Sequence, residues 1–175
     1  MPELGVVALE LARTSAAVAA YCDRAEHLEP TDPSVIRAAG AMLRRLAVDL
    51  AAAKQIDLIE AYRARLESVE QRHPLYPAGG FDGAQEISEQ NLTWRQLQRV
   101  QWEHDRHYHV DVLGLSRYEQ IRHYAFHLAK LAGAVAEAAT GDDFDFFERR
   151  LPDLLLFGLK LATLTNEKLP DQHIA

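Results

Sequence analysis

A single cysteine, Cys22, leaves this chain without the means for an internal disulfide or a thiolate zinc cluster. Beside Tyr21 in an apolar helical stretch, it reads as a buried, unreactive thiol. Basic charge is also short. The 19 lysines and arginines stand against 26 acids, a net of −7, which argues against a nucleic-acid partner. No uncharged apolar run approaches the roughly 18 residues a membrane span needs, and no basic start precedes an apolar stretch as in a secretory leader. A cytoplasmic protein with no membrane partner is the expectation. Strand-like alternation, internal repeats and low-complexity tracts are missing as well. So is a phosphate-binding glycine loop, because Gly79 and Gly80 lack the lysine and helix start of that motif.

What is present is helical periodicity. With 48% hydrophobic residues, the chain has the material for one core and reads as a single helical domain over residues 1–175. The class is all-α, a compact bundle of five to six helices. Val7, Leu11, Val18 and Cys22 mark a helix from Leu4 to about His27. A second starts near Asp32, a plausible N-cap with Pro33 at the first helical position, and carries Ile36, Leu43, Leu46 and Leu50. Periodicity resumes through Leu58, Tyr62, Leu66 and Val69, as the same helix bent or as another. It fails from His73 to Asn91, a loop long enough to be functional or mobile. Thr93 with Gln96 opens a further helix to about Tyr108, and Val110–Leu115 is a short connector.

The stretch from Ser116 to Leu169 organises the rest as a C-terminal antiparallel helical hairpin. Ser116 with Glu119 is a capping box, Gly141 suits a helix end, and Asp142 or Asp143 caps the next helix. The first arm sets Ile121, Tyr124, Leu128, Leu131 and Val135 on one face. The second carries Leu151, Leu154, Leu155, Phe157, Gly158, Leu161 and Ala162, a surface too wide for one partner helix to cover. A homodimer packed across a two-fold axis is therefore expected. Pro152 inside this helix predicts a kink.

The run His127-Leu-Ala-Lys-Leu-Ala-Gly-Ala-Val-Ala-Glu-Ala138, followed by Arg150-Leu-Pro-Asp-Leu-Leu-Leu-Phe157, resembles the paired core helices of the MazG-like, all-α nucleoside triphosphate pyrophosphohydrolases. The resemblance covers residues 116–170 or so. It implies an all-α fold, an oligomer, and acids of Glu-Glu-x-x-Glu and Glu-x-x-Asp motifs holding magnesium against nucleotide phosphates. Those acids fall here on Lys130, Leu131, Ala134, Arg150 and Asp153, of which only the aspartate is kept. One carboxylate flanked by two cations repels a hard divalent ion, so magnesium-dependent hydrolysis of the MazG type is not expected. Lys130 and Arg150 across the hairpin could suit an anion instead, with Asp153 beside them, although solvation or pairing with Glu137, Glu148 or Asp153 is the simpler account.

Histidines form the other unusual feature: His104, His107, His109, His123 and His127 crowd into one short window. His123 and His127 share a helical face at the spacing by which two imidazoles chelate one metal. Should His104, His107 and Glu103 fold back to meet them, the mixed donors would suit zinc, iron or manganese. Packing and hydrogen bonding are the simpler role. The sequence thus points first to a binding or scaffolding protein with a small anionic ligand. Its rivals are a metal-dependent enzyme using the histidines and a pyrophosphohydrolase with acids drawn from elsewhere.

Overall fold

The computed structural model describes residues 4–72, 82–87, 92–141 and 145–174. They form six long helices, α1 (Leu4–Glu26), α2 (Ser34–Lys54), α3 (Leu58–Arg72), α5 (Trp94–Tyr108), α7 (Arg117–Gly141) and α8 (Asp145–Leu164). Two single turns, α4 (Gly83–Glu86) and α6 (Val110–Leu113), complete the set. The all-α bundle is as the periodicity predicts. Among the described residues the only β pairing is an isolated bridge between Thr93 and His173.

Local chemistry sets most helix ends. The Thr93 side chain accepts from the Gln96 N–H while Gln96 accepts from the Thr93 N–H, a reciprocal box that opens α5. Ser116 and Glu119 do the same before α7. Asp32 accepts from the Ser34 N–H at 2.9 Å, so α2 starts one residue later than a helix with Pro33 at its first position. The open question of one bent helix or two resolves as two: Gln55 turns left-handed at φ 56°, and Asp57 accepts from the Ile59 and Glu60 N–H groups to start α3. Within the expected loop, Asp82 caps the single turn α4 through the Gln85 N–H, while 73–81 and 88–91 lie outside the described residues. So do Asp142 and Asp143, the expected caps of α8. α8 runs on through Pro152 as one helix.

α8 is the axis of the fold. Every residue from Leu151 to Ala162 is buried, because α2, α3, α5 and α7 all pack on it. The cover that its wide apolar surface demands thus comes from within one chain, which removes the reason for seeking it in a second copy. α1 forms an outer layer on α7 and α2. It is long and apolar enough to cross a membrane by length and composition alone, yet Val7, Leu11, Val18 and Cys22 face inward here. Burial raises the Cys22 thiol pKa, as suits an inert side chain.

α2 and α8 approach most closely at Gly40 and Gly158. A Cβ on Gly158 would lie 2.6 Å from Arg44 Cγ and 3.1 Å from the Gly40 carbonyl oxygen. The space is held by Arg44, whose guanidinium donates to the Gly158 carbonyl at 2.9 Å and to Glu167 at 2.9 Å. Alanine normally gains about 1 kcal/mol over glycine in a helix interior. Gly158→Ala is expected instead to destabilise by about 2 kcal/mol through overpacking, read as a lower urea midpoint at unchanged slope. A stabilised variant would show that the helices can separate freely.

Candidate functional site

α3 and α7 both rest on α8 with their backbones apart, and the gap between them holds a cavity of about 300 Å³. Its cationic walls are the most distinctive chemistry in the molecule. α3 contributes Arg65 and Arg72, one helical face apart by seven residues, on either side of Val69. α7 contributes His123, Tyr124, His127 and Lys130, and α8 contributes Arg150, Asp153, Phe157 and Lys160. His109 enters from the bend between α5 and α6, where its backbone leaves the helix at φ −132°, ψ 40°. Five cationic side chains therefore surround one lining carboxylate, in a chain whose net charge is −7.

The residues expected from sequence to bind an anion, Lys130, Arg150 and Asp153, all line this cavity. Asp153 is 4% exposed and is gripped by Arg65 Nε at 2.5 Å and Arg150 Nη1 at 3.4 Å. The pairing of Arg150 with Asp153 weighed in the sequence is thus made, but Arg150 is still half exposed at 52% and has other N–H groups to offer. Lys130 and Arg72 lie exposed and make no ion pair with any described residue.

Lys160 is set differently. Only 7% exposed, it donates to Asp105 Oδ1 at 2.7 Å. Gln101 donates to the same oxygen at 2.9 Å and accepts from the buried Tyr62 hydroxyl at 2.7 Å, so a relay from α3 through α5 fixes a lysine of α8. Burial works to raise the Asp105 pKa, but the Lys160 ammonium and the His104 ring outweigh it and hold the carboxyl below its ordinary range. Burial also drives the Tyr62 phenol far above its usual value, which keeps it a neutral donor.

The expected metal ligands fall in different places. His123 and His127 stand together in the cavity with ring centroids 4.7 Å apart. His104 is fully buried behind it, with both ring nitrogens lacking a hydrogen-bond partner among the described residues; Glu70 lies 3.6 Å from one and Asp105 3.9 Å from the other. His107 bonds to the Glu103 carbonyl of its own helix, and the Glu103 carboxylate pairs with Arg106 at 3.5 Å. Among the described residues, the donors that do converge are those of His104, Asp105 and His109, within 4.8 Å of one another. That set contains one of the five expected ligands. The Lys160 ammonium already occupies its carboxylate, and a divalent ion there would face a positive charge at bonding distance.

The cavity histidines are neutral at pH 7. Burial first, and Lys160 second, lower the His109 pKa to about 4. Burial, Lys130, His123 and Lys160 bring His127 to about 4 against the pull of Asp153, and His123 is lowered by burial and Lys160. Since these folded values lie below the unfolded one, their contribution is complete above about pH 6.5 and is lost as pH falls toward 4. Between pH 7.5 and pH 5 the His109 and His127 pair is expected to cost about 2 kcal/mol of stability, after discounting for partial exposure. Urea titrations at the two pH values check this. A His109→Gln, His127→Gln double variant should be flatter by that amount, and an unchanged slope would refute the assignment.

Arg65, Arg72 and Lys160 were not among the residues expected from sequence, and His109 was marked there only as a member of the histidine cluster. A signal existed for Lys160, the lone charge in the apolar run from Leu154 to Leu164. The chain matches no family model, no curated protein and no solved structure.

Proposed function

We propose that this protein binds a small anionic molecule in the cavity between α3, α7 and α8. The observation that carries the reading is the concentration of Arg65, Arg72, Lys130, Arg150 and Lys160 around one lining carboxylate in an acidic chain. Cations that repel one another are costly to hold together and are relieved by an anion, which guanidinium groups grip through paired N–H donors. Neutral histidines add donors and acceptors without adding charge.

The resemblance to MazG-like proteins fits the same reading. The positions where acids would carry magnesium to phosphates hold Lys130 and Arg150, cations able to meet an anion directly. Calorimetric titration with inorganic phosphate at pH 7.5 tests the proposal: saturable 1:1 binding is expected, weakened in Arg150→Gln. Absence of saturation up to tens of millimolar would remove it.

A further inference from the structure

Beyond the cavity, the gap between α3 and α7 continues into an open groove of about 860 Å³. Arg65, Arg72 and Arg150 line both compartments and so mark the waist between them. The inner compartment has a second character. His123, His127, Phe157 and Tyr124 form a continuous run of rings along its wall, with successive centroids 4.7 Å, 5.2 Å and 6.1 Å apart, and His123 closes the run on Tyr124 at 5.6 Å. Three arginines at the waist, with Lys130 and Lys160 also on the inner walls, and a run of rings within give the cavity a divided preference.

Resting on the anion-binding reading, we infer that the ligand is a phosphate monoester of a flat ring compound, its phosphoryl group at the arginine waist and its ring against the His127 and Phe157 faces. Three guanidinium forks, two of them shared with Asp153, still leave more positive charge than a monocarboxylate can neutralise and suit a dianion with three acceptor oxygens. A cavity of about 300 Å³ is at the lower limit of small-molecule pockets, which matches one ring and its ester. Offset stacking on ring faces then favours an aromatic body over a saturated one.

Four probes separate the parts of this inference by calorimetry: inorganic phosphate, phenyl phosphate, cyclohexyl phosphate and benzoate. Phenyl phosphate is expected to bind tightest, about tenfold better than inorganic phosphate or cyclohexyl phosphate. Arg150→Gln should weaken every phosphate probe, and His127→Leu should narrow the advantage of phenyl phosphate over inorganic phosphate. Far-UV circular dichroism and unfolding midpoints establish that both variants fold. Benzoate equal to phenyl phosphate would overturn the phosphate assignment, and equal binding of phenyl and cyclohexyl phosphate would overturn the flat ring. Either result leaves anion binding in place. Binding of none of the four would overturn that reading as well.

Discussion

Asp105→Asn should lower the unfolding free energy by about 3 kcal/mol or more, since it strands the Lys160 ammonium in a buried site. Asp105 is 4% exposed and Lys160 7%, so little water reaches the pair to replace the lost partner. The amide keeps one oxygen for Gln101 and Lys160 to share but carries no charge, so the relay from Tyr62 would slacken. In a chain of this length such a loss is about a 10 °C drop in Tm. Adding Lys160→Met should recover most of it, because it removes the unpaired ammonium and leaves an uncharged amide that Gln101 can still bond. A drop below about 1 kcal/mol in Asp105→Asn would mean that Lys160 finds another partner, and the structural role assigned to the pair would fall.

The second large effect concerns affinity. Lys130→Glu combined with Arg72→Glu replaces two exposed cations at the cavity by two acids. Each reversal removes a charge-assisted contact of about 1.5 kcal/mol or more, so inorganic phosphate should bind at least 100-fold more weakly. Stability should change by less than about 0.5 kcal/mol, because neither side chain is buried. Unchanged phosphate affinity in this fully folded variant would place the anion elsewhere. Added salt should mimic the substitution in part, weakening the parent more than the variant.

The helices were legible in the sequence because their signals are local. Thr93 with Gln96 and Ser116 with Glu119 need only three residues of context, and the periodic leucines of α7 and α8 need little more. The break at Gln55 was less so, since a left-handed glutamine carries no glycine to announce it. For the site, Lys130, Arg150 and Asp153 could be nominated from their helical positions. Arg65 and Arg72 could not, because two arginines on an amphipathic helix usually mean a solvated flank.

What places them in a cavity is the separation of the α3 and α7 backbones, a property of how the helices share α8. The histidines teach the same lesson. His104 and His107 lie three apart, yet the first is fully buried and the second partly exposed. His109, beyond the helix end, swings into the cavity that the first two do not line.

The bond from Arg44 to the Gly158 carbonyl joins residues 114 apart in sequence, and it stands for the whole α2–α8 contact. Among the described residues the axial helix comes last in chain order, so α2 leaves the ribosome long before the surface it packs against exists. Until then Leu43, Leu46, Ala47 and Leu50 must be sheltered by α1 alone, by non-native collapse or by a chaperone. Most helical bundles close neighbour on neighbour and fold quickly. Here closure waits on contacts that span most of the chain, so folding speed is governed by loop closure rather than by helix formation.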